Sequence, residues 1–237
     1  MAYRPSVIRH NVLVPGPQSV NCKIAKRLTA NIVCMFDSFV RRAEFPAFWY
    51  SEQRTKTFIS NAVMNLSSGI ALHEPPATRK GSRKHKRIED GKADYWFEYR
   101  DKYYFLEVKQ IWQEMNKENP GVIRTLKRHK KCWEQVKCID KASRDEWYVS
   151  NVMALTVAPF ETNWKIKRGR NNWIELHDYS KTKLAELSTH IKEQISNIPV
   201  SLFSLVKLGS GHQGNQEWQQ GNDKKVNYHF LLMLWTW

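Results

Sequence analysis

Residues 93–112, ADYWFEYRDKYYFLEVKQIW, limit what this chain can fold into more than any other stretch. They are rich in aromatic residues and include the branched Leu106, Val108 and Ile111; aromatic and β-branched residues favour strands. We therefore predict two antiparallel strands, at about 93–100 and 103–112, joined by a short turn with Asp101 and Lys102 as its central pair. A sheet must accommodate this hairpin together with the charged side chains that it carries.

Three of those charged side chains are predicted to share one face. Side chains alternate along a strand, so Glu107 and Lys109 point the same way. If Arg100 opposes Tyr103, Asp94 lies directly opposite Lys109, and opposed Cβ atoms are about 5 Å apart. A slip of one residue would divide the charges between two faces. Charges near the middle of a sheet are costly, so they indicate either a structural ion pair between Asp94 and Lys109 or a reactive site.

The charge of the whole chain indicates a polyanionic partner. Lys and Arg exceed Asp and Glu by 38 to 23, for a net charge of +15. Such a surplus is typical of proteins that bind nucleic acid, and a simple gain in solubility is the alternative. Candidate phosphate contacts form two groups: Arg79, Lys80, Arg83, Lys84, Lys86 and Arg87 before the hairpin, and Arg124, Lys127, Arg128 and Lys131 after it. The second group has helical spacing and forms one stripe. A solvated loop and a solvated helix face are the respective alternatives.

The 237 residues suffice for one domain. We divide it into an N-terminal arm and helix at 1–45, a core at 46–160, and a C-terminal helix and strands at 161–237. The arm is predicted to be extended over 1–20, and 67–86 to be a loop with at most one short strand. Further helices are predicted at 21–42, 52–66, 122–142 and 181–196, and further strands at 151–158, 201–208 and 226–237. This order predicts an α/β (α+β) fold with a mixed sheet flanked by helices.

Other sequence features limit the cellular context. No apolar run reaches membrane-spanning length, and no signal peptide is recognisable, so we predict a soluble, intracellular protein, cytoplasmic or nucleoid-associated, without a membrane partner. The four cysteines form no CxxC pair, which predicts reduced thiols. His129 and the other histidines lack metal-ligand spacing, and we predict core or surface positions for them.

The three charged groups of the hairpin suit phosphodiester chemistry. Two carboxylates a few ångström apart are ligands for a hard divalent cation. Such a cation lowers the pKa of bound water and neutralises charge in the transition state. Lys109 adds a positive charge beside the attacking water or the phosphate.

The spacing of Asp94, twelve further residues, and then Glu107-Val108-Lys109 resembles the motif of the PD-(D/E)XK nuclease superfamily. The core of that family, a restriction-endonuclease-like fold, runs helix, three-stranded meander, helix, strand, which is the predicted order over about 50–158. Ala93 stands where the family usually has proline. The resemblance implies Mg²⁺, with Mn²⁺ as an alternative, held by Asp94 and Glu107.

The resemblance also implies roles for two further residues. Glu52 would complete or orient the metal shell, and Lys109 would position or activate water. An acid that merely favours the helix dipole in the first turn is the alternative for Glu52. The predicted function is a metal-dependent endonuclease acting on DNA in recombination, restriction or transposition. The alternatives are a non-catalytic nucleic-acid-binding protein of the same fold and a nuclease subunit of a larger complex. A protein partner or a homodimer is a further prediction.

Overall fold

The computed structural model describes residues 6–14, 19–43, 52–67, 70–80, 88–111, 113–114, 122–166, 185, 188–189, 191–195, 198–207, 217–220 and 223–237. The helices are α1 (Val20–Ala43), α2 (Glu52–Leu66), α3 (Val122–Lys137) and α4 (Lys141–Glu146). The strands are β1 (Val7–Val12), β2 (Ala71–His73), β3 (Pro76–Lys80), β4 (Ile88–Lys92), β5 (Tyr95–Glu98), β6 (Tyr103–Gln110), β7 (Gln113–Glu114), β8 (Val149–Ile166), β9 (Leu202–Lys207), β10 (Glu217–Gln220) and β11 (Asp223–Thr236).

A mixed sheet organises the described chain. Seven strands follow the order β1-β9-β11-β8-β6-β5-β2, β10 pairs with β11, and β7 pairs with β8. Strands β6 and β8 are parallel, with Glu107 beside Ala154 and Lys109 beside Thr156. The connection between these two strands carries α3 and α4, as a parallel crossover requires. The predicted mixed α/β class with flanking helices is confirmed.

Helices cover both faces of the sheet because both faces of its central strands are apolar. Leu106 and Val108 of β6 belong to the core cluster that contains the buried residues of α1 and α2. Phe105, on the opposite face of β6, packs in a cluster with Cys132 of α3. The alternation predicted for β6 therefore places successive residues against different helices.

The crossover differs from the predicted helix at 122–142. Helix α3 ends at Lys137, and Asp140 begins a second helix, since its Oδ1 accepts a hydrogen bond from the backbone N of Ser143 at 2.8 Å. Asp140 is therefore an N-cap and not a residue of a helix interior. The following strand is also longer than the predicted 151–158, because β8 spans Val149–Ile166.

The predicted N-terminal arm is held against the rest of the fold. Strand β1 pairs antiparallel with β9, with Val7 opposite Lys207. The backbone N and Oγ of Ser6 donate to the carboxylate of Asp37 on α1, at 3.0 and 2.6 Å. Residues 7–12 of the arm are extended, as predicted, and these contacts make them a strand at the edge of the sheet.

The basic region before the candidate hairpin contains more structure than the predicted loop. Strands β3 and β4 form an antiparallel pair of their own, separate from the main sheet, with Arg79 opposite Glu89. Residues 81–87, which join the two strands and hold most of the predicted cations, lie outside the described residues.

Three further predictions concern the C-terminal part, the cysteines and membranes. Within the predicted helix at 181–196, the residues described as helical are 185, 188–189 and 191–195. All four cysteines are free, as predicted. Within the described ranges, none of the helices combines the length and the apolar character that crossing a bilayer requires.

Candidate functional site

The hairpin turn lies one residue earlier than predicted. Its central residues are Arg100 and Asp101, both in the left-handed region at φ 53 and 58°. Tyr99 and Lys102 exchange backbone hydrogen bonds of 2.8 and 3.3 Å across it. The strand pairing is thereby displaced by two residues from the prediction, and a displacement of two preserves the face of every side chain.

Asp94, which directly precedes β5, is held by three backbone and side-chain contacts. Its Oδ2 accepts a hydrogen bond from the backbone N of Val108 at 2.7 Å. Its Oδ1 accepts one from Lys56 Nζ at 2.9 Å. Its own carbonyl accepts from the backbone N of Glu74 at 2.9 Å. Only 8% of the residue is exposed, so these contacts fix the carboxylate at the end of the β5–β6 pairing.

Ala93, where the resembled family usually has proline, has a structural role of its own. Its backbone N donates to the carbonyl of Pro75 at 3.1 Å. Proline has no N–H and cannot form that bond. The alanine also packs in the core cluster of Phe105 and Cys132, so the substitution suits both the backbone and the packing here.

Glu107 and Lys109 form an ion pair within β6. Lys109 Nζ lies 2.8 Å from Glu107 Oε1 and 3.9 Å from Asp94 Oδ2. The separation of these two oxygens therefore cannot exceed the sum of those distances. Glu107 is only 2% exposed. The structure brings the three predicted residues together, with one ammonium group between two carboxylates.

Lys56, which the sequence analysis did not identify, is the fourth charged member. It lies on α2 and pairs with Asp94, and both side chains are largely buried. The signal in the sequence is its position three residues before the buried Ile59 of α2, because residues three apart share a helix face. With Lys56 included, the cluster has two anions and two cations. We call Lys56, Asp94, Glu107 and Lys109 the charged cluster.

Glu52 is the first residue of α2, as predicted, and precedes Lys56 by four residues. Its side chain lies outside what the structure describes. Among the described residues, no three histidine, cysteine or acidic side chains form a group that could hold a metal ion. The described part of the site therefore offers two carboxylates to a cation.

Helix α3 packs against the face of β6 that carries Glu107, and its buried side chains there are neutral. Cys132 Sγ lies 3.4 Å from the carbonyl oxygen of Glu107. Burial, aided by the nearby charge of Glu107, raises the pKa of the Cys132 thiol. This cysteine therefore stays protonated and is a poor nucleophile. It packs against the charged cluster without adding charge.

His129 lies one turn before Cys132 and is also buried. Its Nδ1 lies 3.0 Å from the hydroxyl of Thr156, and its Nε2 lies 2.8 Å from the hydroxyl of Thr236. Burial lowers the pKa of His129 to about 3, so the ring is neutral at pH 7. Its position in the core agrees with the prediction, and its two hydroxyl partners explain how a polar ring is accommodated there.

The predicted basic stripe lies on the outer face of α3. All four of its members, Arg124, Lys127, Arg128 and Lys131, are exposed, and Lys130 is exposed beside them. The buried face of the helix consists of Thr125, Leu126, His129, Cys132 and Val136. The stripe and the charged cluster are thus joined through one helix: its inner face contacts Glu107, and its outer face carries the cations.

The cluster can act in two ways. Four charges that are largely buried and joined by successive ion pairs can be a structural network in which each carboxylate offsets an ammonium group. They can also be a binding site, in which the lysine side chains hold the two carboxylates in position for a divalent cation.

No family model, curated protein or solved structure matches the chain.

Proposed function

We propose that this protein is a metal-dependent nuclease that hydrolyses DNA phosphodiester bonds, and that the charged cluster is its active site. The observation that carries the proposal is that the ammonium group of Lys109 lies between the carboxylates of Asp94 and Glu107. The three residues are the ones that the resemblance to PD-(D/E)XK nucleases requires. Their partial burial also limits access of water, which strengthens electrostatic interactions within the site.

Mg²⁺ is the proposed cofactor, and the described residues fit it in part. Mg²⁺ is usually held by one or two carboxylates together with water and substrate phosphate. Asp94 and Glu107 supply that donor set, and Glu52 is the proposed third ligand. When bound, the ion would lower the pKa of a coordinated water and neutralise charge on the phosphate.

Lys109 is proposed to act on the reacting groups. Its Nζ has three hydrogen-bond donors and contacts Glu107 Oε1 at 2.8 Å. A second donor can be directed to the scissile phosphate or to the attacking water. Glu107 therefore fixes the position of the ammonium group, and Lys109 stabilises the charge that develops during hydrolysis.

DNA is the proposed substrate because of the charge on α3. The exposed stripe consists of four cations without an acid between them, and the chain as a whole has a charge of +15. Cations on one face bind the phosphate backbone without reading its sequence. The inner face of the same helix contacts the backbone of Glu107, so the proposed DNA-binding surface and the charged cluster share α3.

A second candidate function is favoured by Lys56. Because Lys56 pairs with Asp94 at 2.9 Å, the described cluster is balanced in charge without a metal ion. A non-catalytic protein that binds nucleic acid through α3 and keeps the cluster for stability would have the same contacts. Both candidate proteins would bind nucleic acid, but only the nuclease would cleave it.

Incubation of the purified protein with supercoiled, linear and branched DNA, with Mg²⁺ or EDTA, tests the proposal. We expect cleavage in Mg²⁺ alone and its loss in Lys109→Ala, with DNA binding retained. Lys92→Ala is the matched control, since Lys92 is an exposed lysine of β4 paired with Glu74. Cleavage by Lys109→Ala at the wild-type rate would exclude this site. Tight binding without cleavage of any substrate would support the second candidate.

A further inference from the structure

Tyr148 is a bulky side chain in an unusual position. It is 79% exposed and follows Trp147, the C-cap of α4. Its φ of 54° lies in the left-handed region. Glycine is preferred at this position after a helix, and a side chain with a Cβ costs free energy there. A tyrosine that is both strained and exposed is a candidate for function.

The ring of Tyr148 continues an ordered set of aromatic rings. Its centroid lies 6.4 Å from that of Tyr103. Tyr103 stacks on Trp96, with centroids 5.2 Å apart and the planes 11° from parallel. Trp96 contacts Trp147 at 5.9 Å, and its indole N–H donates to the carbonyl of Trp147 at 3.0 Å. We call these four residues the aromatic platform.

The platform is fixed in place by the core beneath it. Trp96, Tyr103 and Trp147 pack against the cluster that contains Phe105 and Val136. Of the four platform residues, Tyr148 alone projects far into solvent. The platform therefore consists of three fixed rings and one exposed ring, that of Tyr148, which is tilted by 51° from the ring of Tyr103 and has its own faces open to a flat ligand.

Charged residues of both signs surround the platform. Lys137 Nζ lies 5.5 Å from the ring of Trp133, which packs against the same core cluster. Arg100 and Lys102 lie in the turn that leads directly into Tyr103. Segments 98–102 and 137–146 contain equal numbers of cations and acids, namely Arg100, Lys102, Lys137, Lys141 and Arg144 against Glu98, Asp101, Asp140, Asp145 and Glu146. The positive charge that would attract an anionic ligand therefore comes from the stripe on α3, and the platform adds a flat aromatic surface.

The platform and the charged cluster lie on the same side of one strand. Tyr103 and Lys109 are six residues apart in β6, at about 3.3 Å per residue, and an even separation keeps them on one face. They are therefore about 20 Å apart. Helix α3 bridges this distance, since Cys132 contacts Glu107 and Val136 packs near Phe105.

We propose that the aromatic platform binds an unpaired nucleobase by stacking on Tyr148. This inference rests on the proposed function and names its substrate class: DNA with a single-stranded segment or an unpaired base. Bases within a duplex have their faces covered, whereas unpaired bases stack on protein aromatics whatever their sequence. The distance of about 20 Å between Tyr103 and Lys109 corresponds to about six steps of a duplex strand, at about 3.4 Å per step.

Fluorescence anisotropy with a short oligothymidylate and with a blunt duplex, both in EDTA, tests the platform without cleavage. Tyr148→Gly should weaken single-strand binding about 5- to 100-fold, the range typical for removal of one stacking partner. Its binding to the blunt duplex should stay nearly constant. Tyr148→Phe keeps the ring and should bind the oligothymidylate as the wild type does.

Stability separates a binding role from a structural one. Glycine relieves the left-handed strain, so Tyr148→Gly should melt at or above the wild-type temperature even as it loses affinity. Met64→Ala is the control for loss of an exposed side chain elsewhere, because Met64 is exposed on α2, across the sheet from α3. Its affinity for the oligothymidylate should equal that of the wild type. Equal single-strand affinity of Tyr148→Gly and wild type would exclude the platform and leave the nuclease proposal intact. Loss of that affinity in a protein that cleaves no DNA would keep the platform and exclude the nuclease.

Discussion

Lys56 and Asp94 join the helical layer to the sheet through an ion pair of 2.9 Å. The second oxygen of Asp94 accepts from the backbone N of Val108 at 2.7 Å, so one carboxylate links α2, the start of β5 and β6. The hydroxyl of Tyr95 also donates to the carbonyl of Lys56 at 2.7 Å. The position of Asp94 is thus fixed by the fold itself, which is the preorganisation that the proposed catalytic role requires.

Replacement of Lys56 by methionine should destabilise the protein in EDTA and make it more responsive to Mg²⁺. The change leaves the largely buried Asp94 with one cation fewer, which we expect to cost about 1–3 kcal/mol. A divalent cation at Asp94 and Glu107 would replace the missing positive charge. The rise in melting temperature on adding Mg²⁺ should therefore be larger in Lys56→Met than in the wild type.

Lys92→Met is the control for this experiment. Lys92 forms an exposed ion pair with Glu74 at 3.0 Å, and such pairs contribute little to stability. An equal effect of Mg²⁺ on wild type and Lys56→Met would indicate that the cation does not bind at Asp94.

Glu52→Gln separates the two predictions for Glu52. If Glu52 is a metal ligand, the substitution should raise the Mg²⁺ concentration needed for half-maximal cleavage, and the melting temperature in EDTA should hardly change. If Glu52 only favours the dipole of α2, it contributes about 0.3–1 kcal/mol to stability, and the Mg²⁺ requirement should stay the same. A Mg²⁺ titration of cleavage and a melting curve in EDTA therefore distinguish the roles.

Neutralising two cations of the α3 stripe should weaken the salt dependence of DNA binding. Lys127→Gln with Lys131→Gln should reduce the slope of log K against log salt by about 0.9 for each phosphate that the helix no longer neutralises. Lys23→Gln with Arg27→Gln is the matched control, since both residues are exposed on α1, on the opposite side of the sheet. A slope that changes only in the control pair would place the DNA on the α1 side.

His129 should make the protein less stable in mild acid. Its pKa is about 3 in the folded protein and 6.5 ordinarily. Below pH 6.5 the unfolded chain therefore binds a proton that the folded chain does not. The stability that the neutral ring contributes is complete above pH 6.5 and is lost as the pH falls towards 3, by up to about 1.4 kcal/mol per pH unit.

Urea unfolding of wild type and His129→Gln at several pH values measures this effect. Glutamine keeps a donor and an acceptor near Thr156 and Thr236 but does not titrate. The difference in unfolding free energy between the two proteins should shrink as the medium becomes acidic. Burial and the nearby Lys26 also lower the pKa of His10, but His10 is present in both proteins and cancels. A constant difference would contradict the assignment.

The face of the candidate residues was predictable from the sequence, although their register was not. Neither Arg100-Asp101 nor Asp101-Lys102 contains the glycine or asparagine that marks a tight turn, so local chemistry did not distinguish them. The error displaced the pairing by two residues, and an even displacement kept Asp94 on the side of Glu107 and Lys109, as their contacts show. Because side chains alternate along a strand with a period of two, an error of two residues in the pairing does not change the predicted face.

The sequence contains no comparable signal for ion pairs between residues that are far apart in the chain. Lys56 lies 38 residues before its partner Asp94, and a lysine near the start of an amphipathic helix is ordinarily solvated. The stripe on α3 was predictable because helical spacing is local. The break between α3 and α4 depends on the cap at Asp140, which a continuous periodic pattern concealed.

The position of β1 at the edge of the sheet has a consequence for how the chain folds. Val7 pairs with Lys207, and β9 in turn pairs with β11, so this edge assembles from segments at opposite ends of the described chain. His129 likewise contacts Thr236, which is made much later. A nascent chain can form the β5–β6 hairpin early, but it must close loops of roughly 100 to 200 residues before the sheet is complete. Folding is therefore expected to be slow compared with that of a helical bundle, with β1 unpaired until β9 has been synthesised.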